Sequence, residues 1–315
     1  MKHKIEKLKS TDLTKRYPQV LLVGNGLVRN NGYSWHDFIA KCAKKAADIN
    51  KYTKDGGFQI PNTILSMVLM DCNDKIRHDR YDDTLKQLTY QKKPLIDEIV
   101  NLPFDSILTT NYTYDIEYAI KSNYPSLSKK EKNNYAHAVK KDAKYLIHTY
   151  NEFKDYPPIW HIHGEARRKS SLISSHEEYA RLINKIVEYS NNRKNDYEKY
   201  NNDVNMQSWV DYFILGDLYV LGFGFDYTEF DLWWLINRRM REKAKTGKIY
   251  FYEPKSDENY YTQRVMEDMG INVETLDMEI KNNDSSKYYD FYNKAIVDIT
   301  GKVEAIVKGI ETEEL

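Results

Sequence analysis

Four short clusters in this 315-residue chain carry residue types that could act together: Gly24-Asn25-Gly26, Thr109-Thr110-Asn111-Tyr112, His161-Ile162-His163-Gly164 and Gly222-Phe223-Gly224-Phe225-Asp226. An asparagine amide both donates and accepts, so Asn111 suits holding a sugar hydroxyl or a water. A histidine can take a proton near neutral pH, and Gly164 after His163 permits a turn that exposes the imidazole. The paired glycines allow sharp turns and close approach of a ligand to the backbone. Each cluster has a plainer rival. Thr109, Thr110 and Asn111 could only cap a helix. Gly24-Asn25-Gly26 could be a simple turn, because Arg29 stands where a third glycine would complete a dinucleotide fingerprint. His161 could be a structural histidine bonded to backbone. His161 and His163 share a face of an extended segment, which raises a metal question. No cysteine or carboxylate motif completes the ligand set, so no metal is expected.

These clusters need elements to position them. Val20-Leu21-Leu22-Val23, Ile107-Leu108 and Leu218-Tyr219-Val220-Leu221 are short apolar runs of the kind that form buried parallel strands. Ile159–His163 alternates as a strand does, and 248–252 and 271–276 read as two more. The spacing predicts helices over 35–51 and 61–77, from Pro94, from 112 to 120, and from a cap at Ser174 or Ser175. A helix after Asp226 or Thr228 would bury Phe230, Trp233, Trp234, Ile236 and Met240. Strands alternating with helices predict an α/β, Rossmann-like doubly wound parallel sheet with helical insertions. The whole of 1–315 reads as one domain. Insertions fall at 30–100, where they could cover a site, and at 121–155. A polar lid is expected over 176–212 and a C-terminal helix over 285–311. Every cluster then falls at the carboxyl end of a strand, where open α/β sheets bind ligands. That arrangement describes a nucleotide pocket, with backbone amides for phosphates and Asn111 and His163 for a ribose.

Composition narrows the field. Lys+Arg and Asp+Glu balance at 47 each, which gives no sign of nucleic acid or an anionic membrane as partner. No apolar run approaches the roughly 20 residues that span a bilayer. The lysine-rich N-terminus lacks a signal peptide's apolar segment, so a cytoplasmic location is expected. Two cysteines, Cys42 and Cys72, cannot build a four-cysteine zinc module. Cys42 lies at helical spacing with Phe38, Ala46 and Ile49 and reads as core. The 27 tyrosines accompany no basic patch, which argues against a base-stacking surface.

Taken in order, Leu22-Val23-Gly24-Asn25-Gly26, Thr109-Thr110-Asn111-Tyr112, His163-Gly164 and Leu221-Gly222-Phe223-Gly224-Phe225-Asp226 resemble the bacterial sirtuin-like domains. These are relatives of the NAD-dependent deacylases, and many act as NAD hydrolases in antiphage defence. The clusters are also similar to those of the AbiH abortive-infection family. The resemblance implies NAD as substrate, held by Gly24, Asn25, Gly26, Thr109, Thr110, Tyr112, Asp115, Gly222, Phe223, Gly224 and Asp226. It makes Asn111 and His163 the catalytic pair. Thr113 stands where the family usually has aspartate, and Asp115 is the candidate to replace it. The implied reaction is hydrolysis of the nicotinamide N-glycosidic bond. Such an enzyme should stay silent until a partner protein or homo-oligomerisation triggers it. The rivals are an NAD-dependent protein deacylase, disfavoured by the missing zinc cysteines, and a non-catalytic nucleotide sensor.

Overall fold

Gln19–Val23 is a run of five residues buried on both faces, as only a strand in the middle of a covered sheet can be. The computed structural model builds outward from it. It describes residues 16–27, 35–43, 45–54, 57–58, 60–72, 94–123, 136–137, 145–153, 156–166, 168–198, 205–242, 246–256, 259–280 and 285–309. The strands are β1 (Gln19–Val23), β2 (Thr53–Lys54), β3 (Gly57–Phe58), β4 (Ser106–Thr109), β5 (Ala136–His137), β6 (Asn151–Glu152), β7 (Ile159–His161), β8 (Asp217–Leu221), β9 (Ile249–Tyr252) and β10 (Asn272–Glu274). Eight of them form one sheet in the order β10-β9-β8-β1-β4-β7-β6-β5, and β2 and β3 form a separate hairpin. The six strands from β10 to β7 pair in parallel.

The chain winds from β1 to β4 and β7 on one side, then crosses to β8, β9 and β10 on the other. The reversal lies between β1 and β8, where a doubly wound sheet opens a crevice at its carboxyl edge. Register levels that edge. Val23 pairs with Thr109 and with Leu221, and Thr109 pairs with His161. All four strands therefore stop at one height.

Alternate side chains build two cores. Val20, Leu22, Leu108, Trp160 and Val220 join the helices His176–Asn192, Trp209–Leu215 and Phe230–Arg241. Leu21, Val23, Ile107, Ile159 and Leu221 join Pro94–Ile99, Asp115–Asn123 and Ser285–Lys308. A third cluster packs Phe38, Ile39, Cys42, Leu65 and Leu69 against Tyr112 and Leu172, so the first insertion leans on the edge of the β4 turn. Cys42 is core in that cluster and Cys72 is exposed.

Several expectations change in detail. The helix over 35–51 is two, Trp35–Cys42 and Ala46–Asn50. Asn62–Ser66 continues as a π-helix to Cys72, and 73–77 lie outside the described residues. In 121–155, expected as an insertion, the described residues close the helix Asp115–Asn123 and add β5 and β6, which extend the sheet antiparallel beyond β7. The stretch 176–212 holds the long helix expected from Ser174 or Ser175, which buries Tyr179, Leu182 and Ile186, and a short one that buries Tyr197. Ser175 begins the long helix with a capping box to Glu178. Phe230–Arg241 buries Asp231, Leu232, Leu235, Ile236, Arg238 and Arg239, whereas Phe230 is exposed. The buried face is thus rotated from the aromatic one. Among the described residues no helix is long and apolar enough to cross a membrane.

Candidate functional site

The carboxyl ends of β1 and β8 are laced together. The Gly24 amide donates to the Leu221 carbonyl at 3.0 Å and the Gly26 amide to the Gly222 carbonyl at 2.7 Å. Gly222 has a φ of +69°, and a Cβ on Gly24 would stand 2.2 Å from its carbonyl oxygen. These two glycines are required by the contact of one strand end with the other. The amides expected to meet phosphate at Gly24 and Gly26 are spent on this lacing. Gly224 differs: it is exposed, and a Cβ there would meet nothing within 4 Å. The next residue, Phe225, is fully buried at a positive φ of 47°, a strained conformation for an aromatic residue. Asp226 accepts from the Thr228 amide and hydroxyl at 2.8 and 2.7 Å, a turn that leads into the next helix without capping it.

Asn111 sits one step along the same edge. The hydroxyl of Thr109 donates to the Val23 carbonyl at 3.0 Å and accepts from the Asn111 amide at 3.1 Å. The Asn111 side chain donates to the Gly24 carbonyl at 3.2 Å. Its Oδ1 accepts from none of the described residues, and the residue is only half-buried. An acceptor held rigid and open beside the crevice is what a hydroxyl or a water requires. Thr113 donates its hydroxyl to Asp115, the first residue of the helix Asp115–Asn123. Tyr112 points away into the insertion cluster, donating its hydroxyl to the Ile173 carbonyl.

The two histidines part company. β7 ends at His161, and the chain then turns, with the Gly164 amide donating to the His161 carbonyl at 3.0 Å. Gly164 takes a φ of +94°, and a Cβ there would stand 2.3 Å from the Ser171 carbonyl. The shared strand face expected for His161 and His163 is therefore absent. His161 donates from Nδ1 to the Asn111 carbonyl at 2.7 Å and from Nε2 to Glu117 at 2.8 Å. Asn151 ties Glu117 to Glu165, which pairs with Arg168. His161 thus fixes the Asn111 backbone from below. Burial opposes both charges, but Glu117 and its hydrogen bond lift the His161 pKa to about 9, and His161 holds Glu117 below its usual range.

That pair has a consequence for stability. A histidine whose folded pKa is raised stabilises the fold fully below its unfolded pKa of about 6.5, and the contribution disappears as pH rises through about 9. Glu117 works in the opposite direction and matters only in acid. Glu117→Gln should therefore be strongly destabilised at pH 6.5, by about 3–5 kcal/mol as for a broken buried pair. Its deficit relative to the native chain should shrink toward pH 9. Thermal melts of both proteins across that range check this, and a deficit independent of pH would refute the ion pair.

His163 belongs to a different group. Its Nε2 lies 2.9 Å from Asp231 Oδ2 and 3.9 Å from Glu229 Oε2, and its Nδ1 bonds to none of the described residues. His163 and Asp231 are buried, with His163 only 3 % exposed, not at the pocket rim where the sequence suggested it. The Tyr179 hydroxyl donates to Glu229 at 3.0 Å, and its ring meets the imidazole edge-on at 5.3 Å. Burial opposes a charge on His163, yet Asp231 and then Glu229 outweigh it and raise its pKa. Burial, with Asp231 beside it, pushes Glu229 up to about 7 against the pull of His163. Asp231 and Glu229 have no warning in sequence spacing: the loop after β8 carries them across to the β7 turn. The one signal was an acid, Asp231, on the same helical face as Leu235 and Arg238. Together with Asn111, this places an open acceptor and a carboxylate-held imidazole at neighbouring strand ends.

A family model described as SIR2-like domain matches residues 105–273, from the start of β4 to β10. No curated protein matches the chain.

Proposed function

The chain belongs to the SIR2-like domain family, and on that premise we propose that it hydrolyses NAD⁺ at the nicotinamide N-glycosidic bond, giving nicotinamide and ADP-ribose. SIR2-like domains act on NAD. The observation that carries the finer reading is the His163–Asp231 pair. An Asp231 carboxylate accepting the Nε2–H leaves the lone pair on Nδ1, so the imidazole is poised as a base. In the reaction the C1′–N bond breaks with its electrons leaving on nicotinamide, and the sugar passes through an oxocarbenium-like state. Water forms the new C1′–O bond and gives a proton to His163 Nδ1. Asn111 Oδ1 orients that water or a ribose hydroxyl, and the Gly24 carbonyl holds the amide in place. Gly24, Asn25, Gly26, Gly222, Phe223, Gly224 and Asp226 would shape the wall along the diphosphate and adenosine, with exposed Gly224 the closest backbone approach. Thr109, Thr110, Tyr112 and Asp115 would set the Asn111 turn. We further propose an antiphage effector that depletes NAD when a protein partner or self-association triggers it.

The deacylase reading is separated by one comparison. Nicotinamide release is followed by chromatography with NAD⁺ alone and with an added acyl-lysine peptide. A hydrolase releases nicotinamide without the peptide and at an unchanged rate with it. Release that depends on the peptide would assign a deacylase instead.

A further inference from the structure

We propose that His163, Glu229 and Asp231 form a binding site for one divalent transition-metal ion, best matched by zinc, and that the ion silences the hydrolytic site. The donor atoms, His163 Nε2, a Glu229 carboxylate oxygen and an Asp231 carboxylate oxygen, all lie within 4.8 Å of one another. Two donors each about 2.1 Å from a tetrahedral zinc stand about 3.4 Å apart. The 2.9 Å from His163 to Asp231 and the 3.9 Å from His163 to Glu229 bracket that separation. An imidazole nitrogen among carboxylates suits zinc over magnesium or calcium, which take oxygen donors.

A second observation points the same way. Asp231 is fully buried, and its Oδ1 has no hydrogen-bond partner among the described residues. An ion held by that carboxylate would satisfy it. The supporting shell already exists, because Tyr179 donates to Glu229 at 3.0 Å and fixes its orientation. Glu229 is the least buried of the three and gives an ion its way in.

The regulatory half of this proposal rests on the hydrolase reading. Zinc would occupy Nε2, the nitrogen that otherwise donates to Asp231. The single proton of the neutral imidazole then moves to Nδ1, which can donate but no longer accept. The base is lost while its ring stays in place.

Metal-free protein is titrated with zinc sulfate by calorimetry. One equivalent should bind. Asp231→Asn and Glu229→Gln should each weaken it by more than the roughly 10- to 100-fold that loss of a supporting residue costs. Cys72→Ser, which removes an exposed thiol, should bind as the native chain does. Melts confirm that each variant is folded, and partly exposed Glu229 tolerates exchange if Asp231 does not. Nicotinamide release should stop with one equivalent of zinc and resume with a chelator. The site is overturned if no equivalent binds, or if both carboxylate variants bind zinc as tightly as the native chain. The switch is overturned if zinc binds and release continues undiminished. Zinc bound at this site by a protein that never consumes NAD⁺ would uphold the site and remove the hydrolase reading.

Discussion

Asp231→Asn is expected to slow NAD⁺ hydrolysis on the order of 10²- to 10⁴-fold, the usual range for disabling a positioned proton acceptor. An amide at this position can donate to Nε2, which places the ring proton on Nδ1 and leaves no lone pair toward the sugar. His163→Ala should lose as much, and the double variant little more, because the two act as one unit. Binding of NAD⁺ should fall less than turnover, since neither side chain accounts for the diphosphate wall. Initial rates beside NAD⁺-dependent melting shifts measure both quantities. Asp231→Asn at the native rate would mean that the carboxylate does not direct the proton. His161→Ala needs care as a control: His161 is also buried and holds the Asn111 carbonyl, so it should lose stability as well as activity.

The second large effect is on folding. Gly24→Ala would drive a methyl group to 2.2 Å from the Gly222 carbonyl oxygen and 2.6 Å from Phe223 Cβ. Gly222→Ala would place one 2.5 Å from the Leu27 amide nitrogen in a left-handed conformation. Each should destabilise by at least the roughly 1–3 kcal/mol of an overpacked core, with about 1–2 kcal/mol more at Gly222 for the backbone. Gly224→Ala should melt within about 0.5 kcal/mol of the native chain, since open space surrounds it. If Gly224→Ala nonetheless weakens NAD⁺, the wall assignment gains support. Denaturant melts of the three variants decide the matter, and equal stability of all three would contradict the lacing of β1 to β8.

The central strands were legible because β1 and β8 are uninterrupted apolar runs ended by glycine, and β4 by a polar turn. The Asn111 turn was legible for the same reason. What resisted reading was long-range. Gly24 and Gly222 looked like ligand glycines, and only the strand order reveals that they face each other. β5 and β6 are two residues each, too short to show a period. His161 and His163 looked like one strand face because alternation continues through Ile162, yet Gly164 turns the chain before a second face can form. Asp231 and Glu229 were hidden as ordinary acids at a helix start, where carboxylates are common. Their partner is 68 residues away in sequence for Asp231, a distance over which no local pattern speaks.

We propose that this edge of the sheet breaks the nicotinamide bond with water. Protein in molar excess over NAD⁺ tests it most directly, because even a slow, untriggered enzyme then completes one turnover. The native chain should convert NAD⁺ to equal amounts of nicotinamide and ADP-ribose, while folded Asn111→Ala/His163→Ala should leave it intact over the same period. NAD⁺ that survives the native chain unchanged, or is consumed equally by the double variant, would contradict the account.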